Sequence, residues 1–142
     1  MIYAVIDTNV IVSSRISKNP LAATVVVIQN MLQGNIIPVF NNDIIAEYSE
    51  VLHRPKFKLS DNTIETLINY IKNFGIHSDR IPYDGYMPDE KDRPFYEVSL
   101  SIESSFLVTG NLKHFPVTPK VVSPAELIEI LEDSLHRNRC CK

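Results

Sequence analysis

The sequence predicts an α/β fold: a three-layer α/β/α sandwich around a central, mostly parallel sheet. Three observations carry this expectation. Residues 2–6 form an uninterrupted apolar and β-favouring run with almost no polar alternation, the pattern of a strand buried on both faces. Short apolar runs return at 36–40 and 104–109, and segments of helical length and periodicity lie between them. Strands that alternate with helices along a whole chain build a parallel sheet covered on both sides.

Taken in order, the strand at 2–6 ends in Asp7, and Thr8 and Asn9 begin the turn away. Residues 10–18 read as a loop with a short apolar start, and Pro20 suits the first turn of a helix over 21–33, which Gly34 and Asn35 stop. The run 36–40 is a second buried strand, followed by the capping cluster Asn41, Asn42 and Asp43 and by a helix over 44–52 that Pro55 ends. Ser60 caps a helix over 63–74 with Ile64, Leu67, Ile68 and Ile71 on one face, and Gly75 closes it. A third, more polar strand is expected at 76–82, then a turn-rich loop to Asp89. Acids and Pro94 mark a helix running from about Asp92 to Glu103. Strands follow at 104–109 and 120–122, and Ser123, Pro124 and Glu126 announce the last helix. The chain divides into one domain over 1–135 and a basic, flexible tail over 136–142.

Composition narrows the function. A chain of 142 residues, 44% hydrophobic and 22% charged, can bury a core without staples and has no apolar run of membrane-spanning length. The first strand leaves no room for a secretory leader, so a cytoplasmic protein is expected. The adjacent Cys140 and Cys141 cannot staple distant segments, and His136 with Cys140 lacks the paired cysteines of a zinc site. A net charge of −3 excludes binding to nucleic acid by bulk positive charge, though not a nuclease whose acids meet phosphate through cations. No glycine-rich nucleotide loop is present, and Asp7 lacks the acidic neighbour of a receiver-type module.

The candidate chemistry lies in carboxylates. Asp7 stands at the carboxyl end of a buried strand, where ligands of open α/β sheets sit, although an aspartate there also serves as a cap. On the helix after the second strand, at about 100° per residue, Glu47 falls on the rim of the apolar stripe and Glu50 well toward solvent. Asp92 opens its helix about 85° from the face of Phe95, Val98 and Ile102, while Glu97 points elsewhere. Asp89 and Glu90 could equally serve that helix's dipole. Asn111 follows a buried strand as Asp7 does, or is a turn residue after Gly110.

Four blocks together, residues 5–10, 47–57, 89–95 and 107–111, resemble the PIN-domain family, and most closely its toxin components of prokaryotic toxin–antitoxin pairs. The resemblance implies a metal-dependent ribonuclease acting on single-stranded RNA with Mg²⁺ or Mn²⁺, its metal ligands Asp7, Glu47, Asp92 and Asn111. The last stands where an aspartate is usual, which weakens a second metal site, and Pro94 stands where lysine is frequent. Thr8, Asn9 and Thr109 fall at supporting polar positions. Arg15, Lys18, Arg93, Lys113 and His114 are candidate RNA contacts, each of a type that also occurs as plain surface charge; His114 is not needed as a general base. The resemblance further implies a small antitoxin partner and a homodimer. The alternative reading is a catalytically silent PIN fold that binds RNA or a partner protein.

Overall fold

The computed structural model describes residues 1–140 and contains a five-stranded, all-parallel sheet with six α-helices. The order along the chain is β1 (Ile2–Ile6), α1 (Thr8–Ile16), α2 (Ala23–Leu32), β2 (Ile36–Phe40), α3 (Asn42–Leu52), α4 (Asp61–Phe74), β3 (Ile76–His77), α5 (Arg93–Leu100), β4 (Phe106–Val108), β5 (Val121–Val122) and α6 (Pro124–Cys140). In space the strands run β3-β2-β1-β4-β5, so the first strand is central, as the three-layer expectation requires. Ala4 and the last two residues of β1, Val5 and Ile6, have no exposed surface, and Tyr48 of α3 and Phe95 of α5 pack near them with ring centroids 6.3 Å apart.

Strand order positions the site. From β1 the chain moves outward to β2 and β3, then returns through α5 to lay β4 on the other side of β1. Connections that diverge on either side of one strand leave a crevice beyond its carboxyl end, because no crossover covers that point. The register Ile6↔Val108 makes β1 and β4 end level, so Asp7 and Thr109 leave the sheet side by side.

Local chemistry accounts for the helix ends. The Asn41 side chain accepts from the Ile44 N–H, and the Ser60 hydroxyl accepts from the Thr63 N–H. Ser123 and Glu126 form a reciprocal capping box, the Glu126 N–H donating to the Ser123 hydroxyl and the Ser123 N–H to the Glu126 carboxylate. At the far end of α5, the Lys120 Nζ donates to the carbonyls of Ser99 (2.8 Å) and Ile102 (3.3 Å), which ties the approach to β5 to the end of that helix.

The structure corrects four boundaries. Residues 10–16 are not a loop: α1 begins at Thr8, immediately after the strand, because burial of Val10, Ile11 and Val12 outweighs the poor helix propensity of β-branched residues. The third strand stops at His77, since the polar residues after it leave the sheet. The helix at Asp92 begins with a 3₁₀ turn, Glu90–Asp92, and ends at Leu100 rather than Glu103. α6 takes in His136 to Cys140, the start of the segment read as a tail; Cys141 and Lys142 of that segment lie outside the described residues.

The loop between β3 and α5 is lashed to that helix from two points. Glu97, expected to point away from anything of note, is buried; its carboxylate accepts from the Arg80 Nε and from the Tyr83 N–H, both at 2.7 Å. Burial opposes its charge, but the Tyr83 N–H and the Arg80 guanidinium outweigh that and hold its carboxyl below the ordinary range. Arg93, one turn earlier, donates to the carbonyls of Tyr83 and Gly85 and pairs with Glu90.

Gly75, between α4 and β3, has an ordinary backbone φ of −88°, yet any Cβ there would sit 2.5 Å from both the Ile71 and Pro38 carbonyl oxygens. Those are backbone atoms and cannot rotate aside. Gly75→Ala is therefore expected to destabilise the fold by about 1–3 kcal/mol, read as a lower urea midpoint at unchanged slope; an unaltered midpoint would show that the two elements slide apart at no cost.

Candidate active site

Beyond the ends of β1 and β4 lies a crevice of about 320 Å³, lined by Asp7, Thr8, Asn9, Glu47, Asp89, Lys91, Asp92, Asn111 and His114, with Val12, Ser13, Val51 and Phe57 completing its wall. The expected carboxylates Asp7, Glu47 and Asp92, and Asn111 with them, thus face one space although they come from four separate stretches of chain. Each arrives for a local reason. Asp7 is the residue after a buried strand, Glu47 lies on the rim of the α3 stripe, Asp92 precedes the first turn of α5, and Asn111 follows β4.

Asp7 is the most constrained of them, only 4% exposed. Its Oδ2 accepts from the Thr109 hydroxyl at 2.7 Å and from the Asn9 amide at 3.2 Å. Asn9 in turn accepts from the Gly110 N–H, and Thr109 accepts from the Asn111 N–H at 2.9 Å. Thr8 donates its hydroxyl to Glu47 at 2.5 Å. The three polar residues Thr8, Asn9 and Thr109 are each hydrogen-bonded to one of the acids. Tyr48, fully buried one residue after Glu47, donates to the Ile6 carbonyl at the end of β1.

The electrostatics are those of crowded like charges. Burial pushes the Asp7 carboxyl up to about 6, with repulsion from Asp92 and Glu47 adding to it and the Thr109 hydroxyl and Thr8 backbone opposing. Asp92 is raised by its partial burial and by Asp89, is drawn back by His114, and is raised again by Glu47.

Two residues outside the expected ligand set join it. His114 Nδ1 lies 3.1 Å from Asp92 and 3.8 Å from Asp89, and one ligand atom from each of Asp89, Asp92 and His114 falls within 4.8 Å of the others, close enough to hold a metal ion. The only signal for Asp89 was its place three residues before Asp92; for His114 it was its closeness in sequence to Asn111. Lys91 is at the crevice as well. The expected RNA contacts are more scattered. Arg15 sits at the end of α1 and lines a different hollow, with Leu32, Thr63 and Tyr70, while Arg93 is committed to the loop described above. Lys18 follows α1 and Lys113 lies in the 3₁₀ turn Leu112–His114.

The donor set fits a hard divalent cation. Carboxylates and an amide oxygen are what such ions prefer, and a nearly buried carboxylate beside two others is short of positive charge.

A family model described as PIN domain matches residues 3–113, which takes in every lining residue of the crevice except His114. No curated protein and no solved structure matches the chain significantly. None of the described helices is long and apolar enough to cross a membrane.

The raised Asp7 pKa has a definite consequence for metal-free protein. A carboxyl whose folded pKa, about 6, exceeds the ordinary aspartate value of 3.8 contributes stability that is whole below 3.8 and is lost as pH rises through 6. At 1.36 kcal/mol per pKa unit the loss approaches about 3 kcal/mol. In chelator, Asp7→Asn is therefore expected to gain on the parent by about 2 kcal/mol between pH 4 and pH 8. Urea unfolding of both proteins at the two pH values tests this; a parallel pH dependence would mean the Asp7 charge is not buried as described.

Proposed function

This chain belongs to the PIN-domain family, and from that premise we propose that it is a metal-dependent endoribonuclease that hydrolyses phosphodiester bonds of single-stranded RNA, using Mg²⁺ or Mn²⁺. PIN domains are generally nucleases that use a divalent metal. The observation that carries the finer reading is the gathering of Asp7, Glu47 and Asp92 in one crevice where β1 and β4 diverge.

The ion would be held by Asp7, Glu47, Asp92 and the Asn111 amide, with Asp89 and His114 beside Asp92. When bound, it supplies charge neutralisation at the phosphate, a water of lowered pKa and stabilisation of the leaving oxygen. The chain's own residues set the geometry. Thr109 and Asn9 fix the rotamer of Asp7, Thr8 turns Glu47 toward the crevice, and His114 fixes Asp92. Lys91 at the crevice offers a cation to the entering phosphate. The acids also repel a bare polyanion, so binding of substrate and of ion support each other.

Asn111 favours a second reading. It removes one negative charge from the set, and a site short of one acid could leave a silent module that binds RNA or protein. The toxin role, the small antitoxin and the homodimer belong to this proposal through resemblance to the toxin group, and co-purification of a small protein from the native source with light scattering of the pure chain tests both partners.

Expected outcomes separate the two readings. Purified protein cleaves single-stranded RNA with Mg²⁺ or Mn²⁺ and not in chelator. Asp7→Asn keeps its fold and loses more than the roughly 100-fold that an outer-shell change costs. Glu50→Gln is neutral, since Glu50 faces solvent and pairs with Arg54. Asn111→Asp tightens Mn²⁺ binding by calorimetry. A parent that never responds to either ion rules out the enzyme and leaves the binding module, whereas an Asp7→Asn protein that cleaves like the parent removes Asp7 from the catalytic set.

A further inference from the structure

The acids occupy only part of the crevice wall. Val12, Val51 and Phe57 make up an apolar part, and a site that did nothing but hold an ion would have no use for it. Phe57 comes from the 3₁₀ turn Pro55–Phe57 after α3, in the stretch Arg54-Pro55-Lys56-Phe57-Lys58, where cations and an aromatic ring interleave. The ring is half-buried, packed against the core on one part and open to the crevice on another. The Lys56 Nζ stands over the ring, 5.1 Å from its centroid, so a base reaches that face as the lysine swings aside to a phosphate; both Lys56 and Lys58 are exposed. Arg54 is engaged with Glu50, so the two lysines are the cations this turn has to offer.

We infer that Phe57 is a stacking platform for an unpaired base of the substrate strand, with Lys56 and Lys58 receiving neighbouring phosphates. The crevice wall, with the exposed lysines on either side of Phe57, offers chemistry for the three parts of a nucleotide unit. An aromatic face accepts any base, because every base has a π-face, and lysines accept the backbone charge. The acids take the cation that the scissile phosphate needs. A hollow of about 320 Å³ is at the small end of ligand sites, suited to one splayed nucleotide rather than to a stacked duplex. Arg15 and Arg93 are turned to another hollow or tied to a loop, whereas Phe57 lines the crevice with the acids and Lys56 and Lys58 flank it in the chain. The inference rests on the nuclease reading for the identity of the strand, but it concerns binding and can be tested apart from cleavage.

The probe is a fluorescein-labelled six-nucleotide uridine RNA, its binding to the full chain followed by anisotropy in Ca²⁺, with intactness of the probe checked on a gel. Phe57→Leu keeps apolar volume and removes the ring; it is expected to weaken binding about 5- to 150-fold, the range of one lost base stack. Phe57→Tyr restores affinity to within about twofold, which a purely structural role for the ring does not require. Melting temperatures and Mn²⁺ affinity of the Leu variant remain those of the parent. Replacing Lys56 and Lys58 together by Gln lowers the slope of log affinity against log salt by about 1.4, the contribution of two single-strand phosphates. The inference is overturned if Phe57→Leu binds like the parent, if Tyr fails to rescue, or if the parent does not bind the probe. Should the parent bind through Phe57 but never cleave with Mg²⁺ or Mn²⁺, the platform stands and the catalytic reading falls. Should it cleave while Phe57→Leu binds unchanged, the reverse holds.

Discussion

One hydrogen bond, from the Thr109 hydroxyl to the Asp7 carboxylate, joins the ends of the two strands between which the site opens. It is possible only because β1 and β4 are parallel and end in register, with the Asp7 N–H donating to the Val108 carbonyl at 3.0 Å just before the side chains meet. An antiparallel neighbour would bring the start of a strand, not its end, beside Asp7. Much else in the crevice follows from this pair. Asn9 reaches back to the same Asp7 oxygen and is itself held by the Gly110 N–H, so two turns 101 residues apart in sequence are stitched into one wall.

The fold pays for that wall in electrostatics. Asp7 is buried with repelling acids on either side, and only hydroxyl and amide donors, not a cationic side chain, are bonded to it. Structural ion pairs in the same molecule are built differently: Glu97, little exposed but close beneath the surface, has an arginine and a backbone N–H, and its carboxyl is lowered rather than raised. The two acids thus move in opposite directions, because Asp7 lies deeper and the chain supplies a countercharge only to Glu97. Asp7 has no such countercharge among the described residues, the condition in which a carboxylate can take a cation from outside.

The parts of this arrangement that were legible in the sequence are those governed by local pattern. A fully apolar strand ending in an acid placed Asp7, and helical periodicity placed Glu47 on a rim and Glu50 in solvent, where it is found paired with Arg54. Ser123 and Glu126 announced their capping box by spacing alone. What pattern could not reveal depended on tertiary burial. α1 was hidden because Val10, Ile11 and Val12 favour strand or loop in isolation and become helical only when packed. Glu97 lies on a helix otherwise read by its apolar face, and its partner Arg80 is in a loop 17 residues away, a pairing with no periodic signature. Asp89 and His114 join the acids through a contact between a loop and a 3₁₀ turn. For charged loop residues such as Arg93, sequence shows the charge but not whether a carbonyl nearby has already claimed it.

The lashing of the loop before α5 has a consequence for how such a protein can vary. The same short helix carries Asp92 at its front end, Arg93 one residue on, and Glu97 a turn beyond, and the last two grip a segment that reaches exposed residues such as Tyr86. An insertion or deletion in that segment changes where Arg93 and Glu97 are pulled, and with them the tilt of the helix that aims Asp92. Editing a surface loop can therefore shift the placement of an acid in the crevice while leaving every residue that lines it unchanged.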